Sequence, residues 1–211
     1  MTHRRLFFIH GAGGYVDDGP LAEALSAALG ATLDMPEFSD DDMSIEAWAR
    51  PIREGLAGLD TADAVVAHSF GATVLVHILA EADSPVPEHV VLLAMPNWGP
   101  DGWDVSQYVP ADADAPLPEV RGAGRRASKG VALHHCADDA VVPVEHLDLN
   151  AQVLASATVH RHPVGGHQFD GLADLIAADV LAADVHAADV HAAGFHTTDV
   201  LARGRGGPDP E

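Results

Sequence analysis

The stretch from Asp63 to Ala80, Asp-Ala-Val-Val-Ala-His-Ser-Phe-Gly-Ala-Thr-Val-Leu-Val-His-Ile-Leu-Ala, constrains the fold more than any other part of the chain. An apolar run from Ala64 to Ala67 meets a sharp turn at His68-Ser69-Phe70-Gly71, and an apolar, helix-like segment follows at once. A strand joined to a helix through so short a turn thrusts the serine hydroxyl out at the carboxyl edge of a sheet, within reach of a substrate and a histidine. Ala67 and Gly71, two residues either side of Ser69, are small enough for the two backbones to approach each other. The pattern is A-x-S-x-G, one methyl group more crowded than G-x-S-x-G. Alone, it leaves Ser69 two readings, nucleophile or helix N-cap, because serine is also a favoured cap.

The other segments alternate in the same manner. Leu6 to Ile9 reads as a buried strand followed by the loop His10-Gly11-Ala12-Gly13-Gly14. Asp18-Gly19-Pro20 opens a helix, with Asp18 as cap and Leu21, Ala24, Leu25, Ala28 and Leu29 on one face, and Gly30 closes it. Ala31 to Met35 has the mixed pattern of an edge strand, and Ser44 to Gly58 that of a helix with Ile45, Trp48, Ile52 and Leu56 inward, kinked or divided at Pro51. Val90 to Ala94 is a wholly apolar strand. Val131 to His135 reads as a strand, Val144 to Ala155 as a helix and Thr158 to Val164 as a more polar edge strand, with a last helix from near Gln168. Strands alternating with helices at this spacing imply a parallel sheet. The expected organisation is one domain over 1–183, with a proline-, glycine- and aspartate-rich excursion at 96–130 that resembles a small lid. A low-complexity tail over 184–211 repeats Ala-Ala-Asp-Val-His with a period of five, so His186, His191 and His196 cannot share one helix face.

Charge narrows the range of partners. Against 32 acidic residues stand 11 basic ones, a formal net charge of -21, which disfavours phosphate backbones and anionic lipid surfaces. Neither a nucleic-acid nor a membrane partner is expected. The single cysteine, Cys136, excludes an internal disulfide and sits in a strand as a buried thiol. The apolar part of the N-terminus, Leu6 to Ile9, is too short for an export signal, and no run approaches membrane-spanning length, so the expected location is cytoplasmic.

A nucleophilic serine needs a base, a carboxylate to orient that base, and donors for the oxyanion. Three loops could supply them, each at the carboxyl end of an expected strand, where open α/β sheets assemble sites. They are His10-Gly11-Ala12, Cys136-Ala137-Asp138-Asp139-Ala140-Val141-Val142-Pro143, and Pro163-Val164-Gly165-Gly166-His167-Gln168-Phe169.

The set His10-Gly11, Ala67-x-Ser69-x-Gly71, Asp139-x-x-Val142-Pro143 and Gly165-Gly166-His167 resembles the α/β-hydrolase superfamily in its chain order Ser, Asp, His. The resemblance spans Leu6 to Val180. Short length and Pro96-Asn97-Trp98-Gly99 narrow it to the small serine hydrolases grouped with retinoblastoma-binding protein nine and bacterial YdeN-like proteins. It implies Ser69 as nucleophile, His167 as general base and acid, and Asp139 as the carboxylate holding the imidazole tautomer. Backbone amides of Phe70 and Ala12 would form the oxyanion hole. It also implies an α/β-hydrolase-like sheet of about six mostly parallel strands in the order 2-1-3-4-5-6, with helices on both faces. Neither a cofactor nor a metal is implied.

Each assignment has a plainer rival. Asp138 could be the acid, though the register to Val142-Pro143 favours Asp139, and His167 could cap the last helix. His10 and His68 could orient loops; His68, Trp98 and Trp103 are candidates for the substrate pocket, and Tyr108 joins the aromatics of the excursion. Arg121, Arg125, Arg126 and Lys129 form either an anionic-substrate site or a solvated face. His134, His135, His160 and His162 carry His-x-His spacing, but sequence sets no carboxylate or cysteine beside them, so no metal site is expected. The expected function is a serine hydrolase acting on a small carboxylic ester, thioester or amide through an acyl-enzyme. The alternative is a non-catalytic binding or regulatory module that retains the fold. Oligomeric state is not legible.

Overall fold

Side chains alternate between the two faces of a strand, so an uninterrupted apolar run must be covered on both. The computed structural model of the protein, which describes residues 4–81, 87–98, 101–103 and 130–182, has this arrangement. Among these residues β1 (Arg5–Ile9), β2 (Thr32–Asp34), β3 (Ala64–His68), β4 (His89–Leu93), β5 (Val131–Cys136) and β6 (Thr158–His162) form one sheet in the order β2-β1-β3-β4-β5-β6. Every neighbouring pair is parallel. The helices are α1 (Gly19–Leu29), α2 (Ile45–Ala57), α3 (Ser69–Ala80), α4 (Glu145–Val153) and α5 over 173–182.

The pleat of β1 divides the core. Leu6 and Phe8 pack in one cluster with Leu21 and Leu25 of α1 and Ile176 and Val180 of α5. Phe7 and Ile9 pack in the other with Trp48 and Ile52 of α2, Leu75 of α3 and Leu147 of α4. Helices thus cover both faces, as the sequence predicts. The central strands β3 and β4 are buried throughout, whereas β2 and β6 at the edges are partly exposed.

Two local expectations are corrected and a third, at Pro51, is narrowed. Asp18 stands at the N-cap position of α1 but makes no side-chain cap hydrogen bond, because its carboxylate accepts from Gly11 and His68 instead. Pro51 does not divide α2, which runs continuously and is capped by Ser44 accepting from the Ala47 amide. Burial of Trp48 before the proline and Ile52 and Leu56 after it contributes roughly 1.5–3 kcal/mol per side chain, enough to offset a proline penalty of about 3 kcal/mol. The last helix begins at 173 rather than near Gln168. Positive φ angles at Gly165, Gly166, Phe169 and Gly171 hold the intervening segment in turns instead.

Cys136 is buried as expected, and burial, helped by nearby Asp138 and Asp139, raises its pKa to about 12. Most of the 96–130 excursion, with Tyr108, Arg121, Arg125, Arg126 and Lys129, and the repeat tail lie outside the described residues. No helix among the described residues is long and apolar enough to cross a membrane.

Candidate active site

Ser69 stands at the junction of β3 and α3 with φ 51°, in a left-handed region that a non-glycine residue enters at a cost of about 1–3 kcal/mol. The N-cap of α3 is His68, so Ser69 is already the first helical residue and not the cap. Phe70 follows it, and its amide is one of the first four of a helix, which have no intrahelical acceptor. The close approach requires Gly71: a Cβ there would overlap the His10 carbonyl oxygen at the end of β1. Ala67 is fully buried between its partners on β1 and β4. The other positive-φ residues that are not glycine among those described, Ala94 and Phe169, also follow strand ends at this rim of the sheet or lie in the loop that carries His167.

The loop after β5 delivers Asp139 and the loop after β6 delivers His167. Their side chains meet, with His167 Nδ1 2.8 Å from Asp139 Oδ2. The Asp139 carboxylate is fully buried and takes the amides of Val141 and Val142 on Oδ1 at 2.8 and 2.9 Å. His135 adds a third flank: its Nε2 donates to the Val142 carbonyl at 2.8 Å and lies 3.4 Å from Asp139 Oδ2. Burial opposes ionisation of Asp139, but hydrogen bonds from His135, His167 and the two amides outweigh it and hold the carboxyl well below the usual range. Asp138 points elsewhere. Its carboxylate accepts from the Gly166 amide at 2.8 Å and the Gly165 amide at 3.3 Å, which braces the loop before His167.

An ionised Asp139 makes His167 Nδ1 the donor of their bond, leaving Nε2 as the free lone pair. Ser69 and His167 border one cavity of about 370 Å³, together with Ala12, Phe70, His68, Trp98 and Trp103. Among the described residues no hydrogen bond joins Ser69 Oγ to His167. In enzymes that use a serine and a histidine together, that contact is often long without substrate.

Trp98 serves core and cavity together: it is 5% exposed, donates from Nε1 to Thr73 Oγ1 at 3.1 Å, and meets Trp103 edge-on. Behind it, the Asn97 amide donates to His146 Nδ1 at 2.8 Å, and Asn150 ties Asn97 to the Met95 carbonyl. His10 orients its loop, with Nδ1 donating to the Gly11 carbonyl at 2.7 Å and Nε2 accepting from the Phe38 amide at 3.0 Å.

Asp18 is the site residue that sequence reasoning missed. Buried beneath the β1 loop, it accepts from the Gly11 amide and from His68 Nδ1, both at 2.8 Å. His68 Nε2 in turn donates to the His167 carbonyl at 2.9 Å. Both nitrogens of a 1%-exposed ring therefore face oxygen atoms, one of Asp18 and one of the His167 backbone. Burial raises the Asp18 pKa, but the His68 hydrogen bond and charge, with Gly11 and Gln168, outweigh it and the net shift is downward. This second Asp–His pair locks together the β1 loop, the elbow and the His167 loop. No local signal marks Asp18, since its partner is 50 residues away.

No protein-family model matches the chain, and no curated protein matches it by sequence. Solved structures do match by shape. The ydeN gene product from B. subtilis aligns at TM-score 0.58 and 17% identity, covering 78% of this chain and 88% of that one. The esterase domain of a Rhodothermus marinus protein aligns at TM-score 0.59 and 14% identity, covering 83% of this chain and 84% of that one. Alpha/beta hydrolase domain-containing protein 10 from mouse aligns at TM-score 0.56 and 14% identity over 90% of this chain and 92% of that one. With its strand order, its strained serine elbow and these likenesses, the chain has the α/β-hydrolase fold.

Proposed function

We propose that the protein is a serine hydrolase that cleaves a small carboxylic ester through an acyl-enzyme on Ser69. The observation that carries this reading is the 2.8 Å contact between His167 Nδ1 and a buried Asp139, on the same cavity as a serine held at φ 51°. In the reaction, Ser69 Oγ attacks the ester carbonyl as His167 Nε2 takes its proton, and Asp139 stabilises the imidazolium without itself being protonated. The amides of Phe70 and Ala12 receive the oxyanion. Collapse breaks the bond to the alcohol oxygen, which leaves with the proton from His167. Water then attacks the acyl group, giving its proton to His167, and the acid departs as Ser69 recovers its own.

Several features favour a short acyl group. At about 370 Å³ the cavity has room for a small molecule, and Trp98 and Trp103 line it together with Ser69. An esterase domain is among the structures of similar shape. The same machinery would serve a thioester or an amide, so the leaving group is set by the rest of the cavity. Hydrolysis of p-nitrophenyl acetate and butyrate tests the proposal. Turnover that disappears in both Ser69→Ala and His167→Ala is expected; turnover that survives either substitution, or none from the wild-type chain across a graded ester series, would leave a binding module as the better reading.

A further inference from the structure

The edge of the sheet farthest from β2 gathers three histidines whose spacing follows from strand geometry. His160 and His162 on β6 share a face because they are two residues apart, and His134 on β5 is directly opposite His160 in the parallel register. The three rings stack: His134 lies 4.4 Å from His160 at 14° and 5.3 Å from His162 at 16°. Sequence alone sets no carboxylate beside them. The fold supplies one: Asp179 on α5 aims Oδ2 at His134 Nε2, 3.2 Å away, and at His160 Nε2, 3.3 Å away.

All three of these atoms are buried and none has a hydrogen-bond partner. The side chain of His134 has no exposed surface at all, while His160 and Asp179 are 26% and 29% exposed. Unsatisfied buried polar atoms are rare and need a reason. Three of them converging, with no hydrogen bond formed among them, fit a cation between them. A tetrahedral zinc bound to nitrogen and oxygen at about 2.0–2.2 Å spaces its ligand atoms about 3.3 Å apart, and the His134–Asp179 and His160–Asp179 spacings lie at that value.

We propose that His134 Nε2, His160 Nε2 and Asp179 Oδ2 bind a late first-row divalent cation, zinc foremost, that clamps α5 to the β5–β6 edge. The tautomer agrees. His134 Nδ1 is 3.0 Å from His162 Nε2, so a proton on Nδ1 donated to His162 leaves the Nε2 lone pair for a metal, the orienting contact that metal-bound histidines usually make. An imidazole–carboxylate set suits zinc and its neighbours rather than calcium or magnesium, which take oxygen. Three protein ligands on a partly exposed edge leave a fourth position to water. Because α5 buries Ile176, Ala177 and Val180 against the sheet, holding Asp179 fixes that helix in place.

The test is zinc titration of the full-length, chelator-stripped protein by calorimetry and thermal melting, beside Asp179→Asn and His160→Gln. Both replaced residues are partly exposed, and melts in excess chelator, together with far-UV circular dichroism, check that the variants fold. One equivalent is expected to bind with a sub-micromolar Kd and to raise Tm by about 5–10 °C at a hundredfold excess over Kd. Either substitution should weaken binding at least tenfold and remove the rise. Cobalt should show intense tetrahedral absorption in the wild type alone. Absence of binding, or binding of equal strength in both folded variants, as the histidines of the tail or His167 would give, overturns the proposal.

Discussion

Replacing Gly71 by alanine tests how closely the elbow is fitted to the loop that follows β1. The added Cβ would overlap the His10 carbonyl oxygen and stand 2.7 Å from Ile9 Cγ2 and 3.0 Å from the Ile9 carbonyl oxygen. Two of these neighbours are backbone oxygens at the end of β1 and the start of its loop, so α3 must give way instead. Restoring separations of about 3.5 Å from all three requires the start of α3 to retreat by roughly 1 Å. Overpacking of this kind costs about 1–3 kcal/mol, or roughly 3–10 °C in Tm for a domain of this size. The same retreat carries Ser69 and the Phe70 amide away from Ala12, and misplacement near 1 Å costs about a hundredfold in rate. Thermal melting and p-nitrophenyl butyrate hydrolysis report the two effects separately. A variant melting within about 1 °C of wild type at an unchanged rate would refute the close-approach argument.

Further outcomes follow from the buried ionisable groups. Asp139→Asn should preserve the fold but lower kcat by about 10⁴-fold in ester hydrolysis, because an amide at this position can favour the wrong His167 tautomer; a loss under tenfold would deny Asp139 its orienting role. Asp18→Ala leaves His68 Nδ1 and the Gly11 amide without their acceptor and should cost about 1–3 kcal/mol for each group in denaturant melts, whereas Asp18→Asn keeps an acceptor and should cost less; equal melts for the two would count against the second pair. His77 is buried, and burial, against a smaller opposing effect from Glu81, lowers its pKa from 6.5 to about 4. The folded chain therefore binds fewer protons than the unfolded one below pH 6.5, so stability is full above that pH and falls on acidification. The loss is on the order of 3 kcal/mol by pH 4, and His77→Leu should flatten this part of the pH–Tm curve. Asp18 and Asp139 are depressed from 3.8, so their contributions, complete above that value, vanish only as pH falls below it.

What could be read from sequence was whatever rests on short-range pattern. The apolar runs at β1, β3 and β4 are legible because strands buried on both faces leave no polar position. Asp139 and His167 are legible because glycine, proline and acidic residues end β5 and β6 in turns, and parallel strands bring both turns to one rim. Asp18 and Asp179 were not legible. Each acts on a histidine remote in sequence, and an aspartate beside a helix start or on a helix face looks the same whether it faces solvent or a buried ring. At Pro51 the sequence leaves two outcomes, a kink or a break, and tertiary burial on both sides of the proline decides against the break.

The central claim is that Ser69 is an activated nucleophile, and covalent labelling reads this directly. Intact-mass measurement after treatment with a fluorophosphonate should show one adduct per chain, mapped to Ser69, lost in Ser69→Ala and slowed by orders of magnitude in His167→Ala. Undiminished labelling of the Ser69→Ala chain, or a wild-type chain that stays unlabelled while fully folded, would contradict the account.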